Sequence, residues 1–211
     1  MKNKIIRIIP HIIEGPHKLS RIEKESNIII GNNKEWKEFF RQIEAEIDDV
    51  NIIFSEKSKI LAAIKAVQEG AELNSTSKHL DWKEFEILTA ELTEKHSYKC
   101  LTNVVTSKPR MQIDVIAIGN SHRIIFDCKH WKKQLGAHNL KKIVENHVKR
   151  CEEYFRMTNS DDGSKIFPAI LTMSLEKNKI VNRVPIVSII QLNNFLLEIN
   201  SIEDKIKEIK N

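Results

Sequence analysis

The sequence predicts an α/β fold: a mixed-sheet domain in the later part of the chain, preceded by a small, mainly helical region. Three observations carry this. Apolar residues recur at helical spacing in several windows, the longest holding Leu140, Ile143, Val144, His147, Val148, Cys151 and Phe155. Short apolar runs bounded by turn residues stand between these windows, as strands do. From residue 77 onward the two patterns follow one another as α-β-β-β-α-β-β-α, the order of a layered domain with a mixed sheet. The 211 residues are 41% hydrophobic and 30% charged, with 6 Gly and 5 Pro, which is enough apolar matter for a core and excludes collagen-like, low-complexity and wholly disordered classes.

The elements can be justified in chain order. The Ile-rich stretch 5–13 is broken by Arg7, Pro10 and His11 and fits neither a membrane span nor a secretory signal, so a cytoplasmic protein with no membrane partner is expected. Trp36, Phe39, Phe40, Ile43 and Ile47 form one helical stripe, and Ile60, Leu61, Ile64 and Val67 form a second before Gly70, a candidate C-cap. The polar cluster Asn74, Ser75, Thr76 and Ser77 marks a boundary, giving an N-terminal helical region 1–76, a domain 77–200 and a C-terminal helix 201–211. The first region holds no repeat and no catalytic motif; a DNA-binding winged helix and a packing or dimerisation module both fit it.

Beyond the boundary, Asp81 and Glu84 form a capping-box pattern that opens a helix over 82–95. Strands follow over 98–106, 112–118 and 122–130, then the long helix over 137–157. A turn at 161–163, strands over 166–173 and 184–190, and two short helical patterns complete the chain, the last marked by Ile202, Ile206 and Ile209. Cys100, Cys128 and Cys151 are odd in number and widely spaced, which does not suit a disulfide framework.

Charge is unevenly placed. The whole chain carries 34 Lys and Arg against 29 Asp and Glu, net +5. Residues 1–76 hold 12 basic and 12 acidic side chains, so the entire surplus lies beyond them, and residues 107–156 alone hold 11 against 5. A polyanion partner is therefore to be sought on the second part.

The hairpin from Met111 to His130 carries the chemistry. With Asn120 and Ser121 at its tip, residues whose numbers sum to 241 pair, so that Asp114 faces Asp127 and Gln112 faces Lys129. Alternation then places Gln112, Asp114, Asp127 and Lys129 on one face, and Ile113, Val115, Ala117, Ile124, Phe126 and Cys128 on the other. Both faces are apolar toward the turn, as in central strands. Two carboxylates opposed in such a sheet repel unless a cation joins them. Hard oxygen ligands suit Mg²⁺ or Mn²⁺ better than Zn²⁺. Lys129 beside them could hold a phosphate oxygen or orient an attacking water, and the set is what phosphodiester hydrolysis requires.

These residues resemble a known family. Trp-Lys-Glu-Phe-Glu86-Ile-Leu on a helix, Gln-Ile-Asp114-Val-Ile-Ala on one strand and Ile-Ile-Phe-Asp127-Cys-Lys129-His-Trp on the next look like the PD-(D/E)XK nuclease superfamily. The likeness is closest to the Mrr-type restriction endonuclease catalytic domain, with Holliday-junction resolvases as relatives. It covers roughly residues 80–190 and leaves 1–76 aside. Ile113 stands where the signature has proline, and Asp127 where relatives usually carry Glu. The resemblance implies a restriction-endonuclease-like core of order αβββαβ. It also implies that Asp114 and Asp127 bind metal with the Cys128 backbone carbonyl, that Lys129 is the catalytic lysine, and that Glu86 is the helix-borne acid supporting the metal. The helical wheel by itself leaves Glu86 and Glu91 as alternatives on opposite flanks of Phe85, Leu88 and Leu92; the family's Phe-Glu pattern favours Glu86.

Lys108, Arg110, Lys132, Lys133, Lys141 and Lys142 flank these strands and the start of the long helix, placed for sequence-independent phosphate contacts, with Gln112 as a further DNA contact. A rival metal site pairs Cys128 and His130 with His147 and Cys151, whose spacing resembles that of zinc ligands; packing of the long helix on the Cys128 face would make the same residues ordinary core. The expectation is a Mg²⁺- or Mn²⁺-dependent DNA endonuclease of Mrr type, with a homodimer suggested by the need for two sites to cut two strands. The alternatives are a DNA-structure-specific repair nuclease or Holliday-junction resolvase, and a catalytically silent nucleic-acid-binding protein.

Overall fold

A computed structural model describes residues 2–31, 33–71, 76, 79–106, 110–129, 136–158, 165–173 and 179–210. The chain divides into two compact units, residues 1–84 and 85–211. Among the described residues no helix is long and apolar enough to cross a membrane.

The first unit runs α1 (Lys2–Ile8), β1 (Gly15–Lys18), α2 (Leu19–Ser26), α3 (Lys34–Gln42), β2 (Glu46–Ile47), β3 (Asn51–Phe54) and α4 (Ser58–Gln68). Its strands are antiparallel in the order β1-β3-β2. Trp36, Phe39 and Phe40 on α3 are buried as the periodicity requires, and the rings of Trp36 and Phe40 stack. Ile47 corrects the reading: α3 stops at Gln42, Glu44 turns left-handed at φ 56, and the Ala45 N–H bonds back to the Phe40 carbonyl at 2.9 Å. This closure delivers Ile47 to β2 instead of a further helical turn. At the end of α4, Gly70 takes φ 88 and the Ala71 N–H reaches the Ala66 carbonyl at 2.9 Å, the expected glycine stop.

α5 (Trp82–Glu94) begins on the anticipated capping box: the Glu84 N–H donates to Asp81 Oδ1 and the Asp81 N–H to Glu84 Oε2, each at 2.8 Å. There follow β4 (Lys99–Val105), β5 (Gln112–Ile118), β6 (His122–Lys129), α6 (Ala137–Thr158), β7 (Lys165–Thr172), β8 (Lys179–Val181), β9 (Val184–Ser188) and α7 (Leu192–Ile202). The six strands form one sheet in the order β4-β5-β6-β7-β9-β8, antiparallel through β6, parallel from β6 to β9, with β8 antiparallel on the edge. The fold is thus α/β with a mixed sheet, and its core order is αβββαβ. Helix α6 covers one face, where Val144, Cys151 and Tyr154 pack on Ile116, Ile125, Ile166 and Ile170.

Two further readings need correction. The segment 201–211 is not a helix of its own: α7 ends at Ile202, Glu203–Lys205 is a 3₁₀ turn, and Ile209 pairs with Ile166, its N–H 2.9 Å from that carbonyl. Ile209 therefore buries itself by pairing with the start of β7, not by helical periodicity. Strand β8 escapes the sequence patterns, because its turn onto β9 uses Asn182 and Arg183, both left-handed at φ 50 and 63, without the glycine that signals such a hairpin. The turn at 161–163 lies outside the described residues.

Candidate active site

The β5–β6 hairpin forms in the expected register. Val115 pairs with Phe126, Ile116 with Ile125, Ala117 with Ile124 and Ile118 with Arg123. At the tip the Gly119 N–H meets the His122 carbonyl at 2.9 Å, and a Cβ on Gly119 would lie 2.8 Å from the Tyr98 ring, so the tight approach needs glycine.

The ladder ends one step before the expected acid pair. Asp114 is not a ladder partner of Asp127; its Oδ2 instead accepts the Cys128 N–H at 2.7 Å. Next to it, Asn103 in β4 takes the left-handed φ of 52, and the β4–β5 register skips that position between Thr102 and Val104. Strict alternation lapses here as well: Ile113 joins Ile116, Ile125 and Cys151 in the cluster under α6, and not the opposite face to which alternation assigned it. Gln112 is exposed, its amide bonded to Asn103 Oδ1 at 2.9 Å.

Asp127 is 1% exposed. Its Oδ1 receives Lys129 Nζ at 2.9 Å and Arg150 Nη2 at 2.6 Å. Its Oδ2 is buried and has no hydrogen-bond partner among the described residues. A buried carboxylate with one oxygen doubly paired and the other unpartnered fits a cation. Asp114 lies close enough to feel Asp127, Lys129 and Arg150. Burial holds its carboxyl above the ordinary range, opposed by the Cys128 N–H, while the charge of Asp127 pushes it further up.

Glu86 is buried on α5, on the side of β6 where the Cys128 thiol meets Thr89 Oγ1 at 3.6 Å. Its charge acts on that thiol together with those of Asp114 and Asp127. Of the two helix acids left open by the wheel, Glu86 is buried and Glu91 half-buried. Even so, among the described residues no three His, Cys, Asp or Glu side chains gather closely enough to hold a metal ion. The structure brings Asp114, Asp127 and Lys129 together and leaves Glu86 on the α5 side. An Mg²⁺ site needs no dedicated cage, since one or two carboxylates with waters and substrate oxygens suffice.

The zinc arrangement does not assemble. Helix α6 packs on the Ile125 face, so His147 and Cys151 lie across β6 from the Cys128 thiol, correcting the expectation that the helix covers the Cys128 face. His147 Nε2 bonds to the Ile125 carbonyl at 2.9 Å, and burial lowers its pKa to about 4. Burial pushes the Cys128 and Cys151 thiols up. His130, Lys108, Lys132 and Lys133 lie outside the described residues. Arg110, Lys141 and Lys142 are exposed, the two lysines in the first turns of α6.

Sequence reasoning missed Arg150. Its signal was present: a basic residue one helical turn beyond His147 on the helix that covers β6, where a buried Asp127 needs a counter-charge.

Residues 77–162 match the family model described as "Restriction endonuclease", the Mrr catalytic domain. No curated protein matches the chain. A solved structure of the small subunit of a heterodimeric restriction endonuclease is 18% identical at a TM-score of 0.37, over 61% of this chain and 73% of that one. Another, of a Vibrio cholerae protein, is 11% identical at a TM-score of 0.43, over 95% of this chain and 51% of that one, so the chain spans about half of that protein's length.

Proposed function

We propose that the chain, whose residues 77–162 match the Mrr-type restriction-endonuclease domain, is a metal-dependent DNA endonuclease that hydrolyses phosphodiester bonds. The observation that carries this reading is the buried Asp127, with Lys129 on one oxygen and no partner for the other among the described residues, beside the Asp114 carboxylate.

Asp114 and Asp127 hold Mg²⁺ or Mn²⁺, with the Cys128 carbonyl as a further oxygen donor. When bound, such a cation stabilises charge developing on the phosphate and makes water more acidic. Lys129, fixed by its contact with Asp127, presents an ammonium group that holds a phosphate oxygen and orients the attacking water. Glu86 supports the acid pair from the α5 side, through the strand segment at Cys128. Arg110, Lys141 and Lys142 are exposed and suit phosphate contacts, as do Lys108, Lys132 and Lys133 by sequence. Lys outnumbers Arg 26 to 8, which favours backbone contact over bidentate guanine readout. Cutting both strands takes two such sites, hence a homodimer, acting in the cytoplasm.

The test incubates modified and unmodified plasmid and a four-way junction with the protein in Mg²⁺ or Mn²⁺, against EDTA. Plasmid nicking or linearisation in metal and none in EDTA is the expected result. Preferential cutting of the junction would move the reading to a resolvase. No cleavage under any condition would overturn it in favour of a silent binding protein.

A further inference from the structure

Arg150 reaches the site from helix α6, not from the strands, and the packing of that helix fixes it there. His147, one turn earlier, bonds the Ile125 carbonyl at 2.9 Å, and Val144 and Cys151 are fully buried on the same sheet face. With the helix held in this way, Arg150 Nη2 stands 2.6 Å from the Asp127 oxygen that also takes Lys129 Nζ at 2.9 Å. A purely structural Arg–Asp pair favours the two-pronged geometry, with two N–H groups on two oxygens. Here both cations crowd one oxygen. Asp127 Oδ2 and Arg150 Nε are each buried with no hydrogen-bond partner among the described residues. One acceptor without a donor and one donor without an acceptor, within a single ion pair, describe partners arranged to be exchanged.

Charge arithmetic gives the direction of exchange. Asp114 and Asp127 are balanced by Lys129 and Arg150, with the buried Glu86 on the α5 side as a further acid. A dication added there turns the local charge positive and competes with the two resident cations for the Asp127 carboxylate. Lys129 is tied to Asp127 by the same strand, two residues away. Arg150 comes from another element on a long side chain. Resting on the reading of Asp127 as a metal ligand, we infer that Arg150 is a resident counter-ion of Asp127 that a divalent cation displaces, and that the freed guanidinium pairs with a phosphate oxygen of the DNA strand. Arg150 is then a positioning residue in the metal-free protein and a phosphate ligand in the loaded one.

The test is calorimetric titration of the full chain with Mn²⁺, without DNA, in the wild type and in Arg150→Gln, Arg150→Lys and Asp127→Asn. Removing the competing charge should tighten Mn²⁺ binding roughly tenfold in Arg150→Gln, whereas Arg150→Lys, which keeps the charge, should stay within about threefold of wild type. Asp127→Asn should lose the binding. Equal or weaker binding in Arg150→Gln, with binding still lost in Asp127→Asn, would overturn the role of Arg150 and leave the metal site standing. Binding unaffected by Asp127→Asn would overturn both. Should Arg150→Gln fail to fold, the wild type decides. The Arg150 Nε–H resonance, assigned by its loss in Arg150→Lys, should shift with the same Mg²⁺ midpoint as the heat of binding. A resonance that stays still while Mg²⁺ binds would overturn the proposal.

Discussion

The two compact units bury different kinds of side chain. The first is built on Trp36, Phe39, Phe40 and Phe54, and its buried polar residues are Ser26, Ser58 and Thr76; among the described residues it buries no ionisable group. The second buries Glu86, His122, Asp127 and His147 within a core of aliphatic side chains and the rings of Phe85, Phe126, Phe167 and Phe195. Each such group opposes folding unless paired, since removing a charge from water costs several kcal/mol. A fold that needed only stability could fill these places with apolar residues, as the first unit does. Of these four groups, Asp127 and Glu86 belong to the proposed site, while His122 and His147 hold Tyr98 and the Ile125 carbonyl. The exposed part of the hairpin between β2 and β3 adds to the contrast, because Glu46, Asp48 and Asp49 make it acidic, while Arg110, Lys141 and Lys142 stand exposed on the second unit. Residues 1–76 carry no net charge, so the first unit's charge does not favour phosphate.

The comparison can be sharpened first where the effect on stability is largest. Trp36→Ala should destabilise the protein by about 3–5 kcal/mol through the cavity it leaves in an aromatic core, read by chemical denaturation at pH 7. A value under about 1 kcal/mol would mean that this core is not closely packed. Stability should then respond to pH through the second unit. The folded protein keeps His147 neutral down to about pH 4, whereas the unfolded chain protonates it near 6.5. The unfolded state therefore binds the extra proton between those values, so the contribution is full above pH 6.5 and is lost as the pH falls toward 4. For this residue the loss is about 3 kcal/mol. Denaturation curves from pH 7 to 4.5 should show most of that slope in the wild type and a flatter one in His147→Gln; equal slopes would show that His147 does not set the pH dependence. Smallest is the effect of the surface. The double substitution Lys141→Ala, Lys142→Ala should reduce the dependence of log DNA affinity on log salt by about 2, one for each phosphate that a lysine no longer neutralises. A salt slope unchanged by it would place the DNA elsewhere.

Much of the local structure was legible because it depends on near neighbours in sequence. The capping box at Asp81 and Glu84, the Gly70 stop and the pairing of Val115 with Phe126 each follow from a few adjacent residues. What failed depends on departures from regularity or on distant partners. Nothing near Asn103 announces its left-handed turn, yet that turn accompanies the end of alternation at Ile113 and the hydrogen bond from the Cys128 N–H to Asp114. The side of the sheet covered by α6 is a topological fact that the apolar stripe of the helix does not encode, and the zinc arrangement rested on it. Ile209 imitates helical spacing while pairing with Ile166. Arg150 was missed for the same reason, since its meaning comes from Asp127, on another element. Asp114, Asp127 and Lys129 were visible because charges interrupting a strand that is apolar on both faces are conspicuous in sequence alone.

The central claim is that Lys129 and the acids beside it perform hydrolysis. The most direct test compares wild type and Lys129→Ala on supercoiled plasmid in Mg²⁺, at matched folded concentration by circular dichroism. Cleavage should slow on the order of 10²–10⁴-fold with the fold retained. Cleavage by Lys129→Ala at the wild-type rate would contradict the claim.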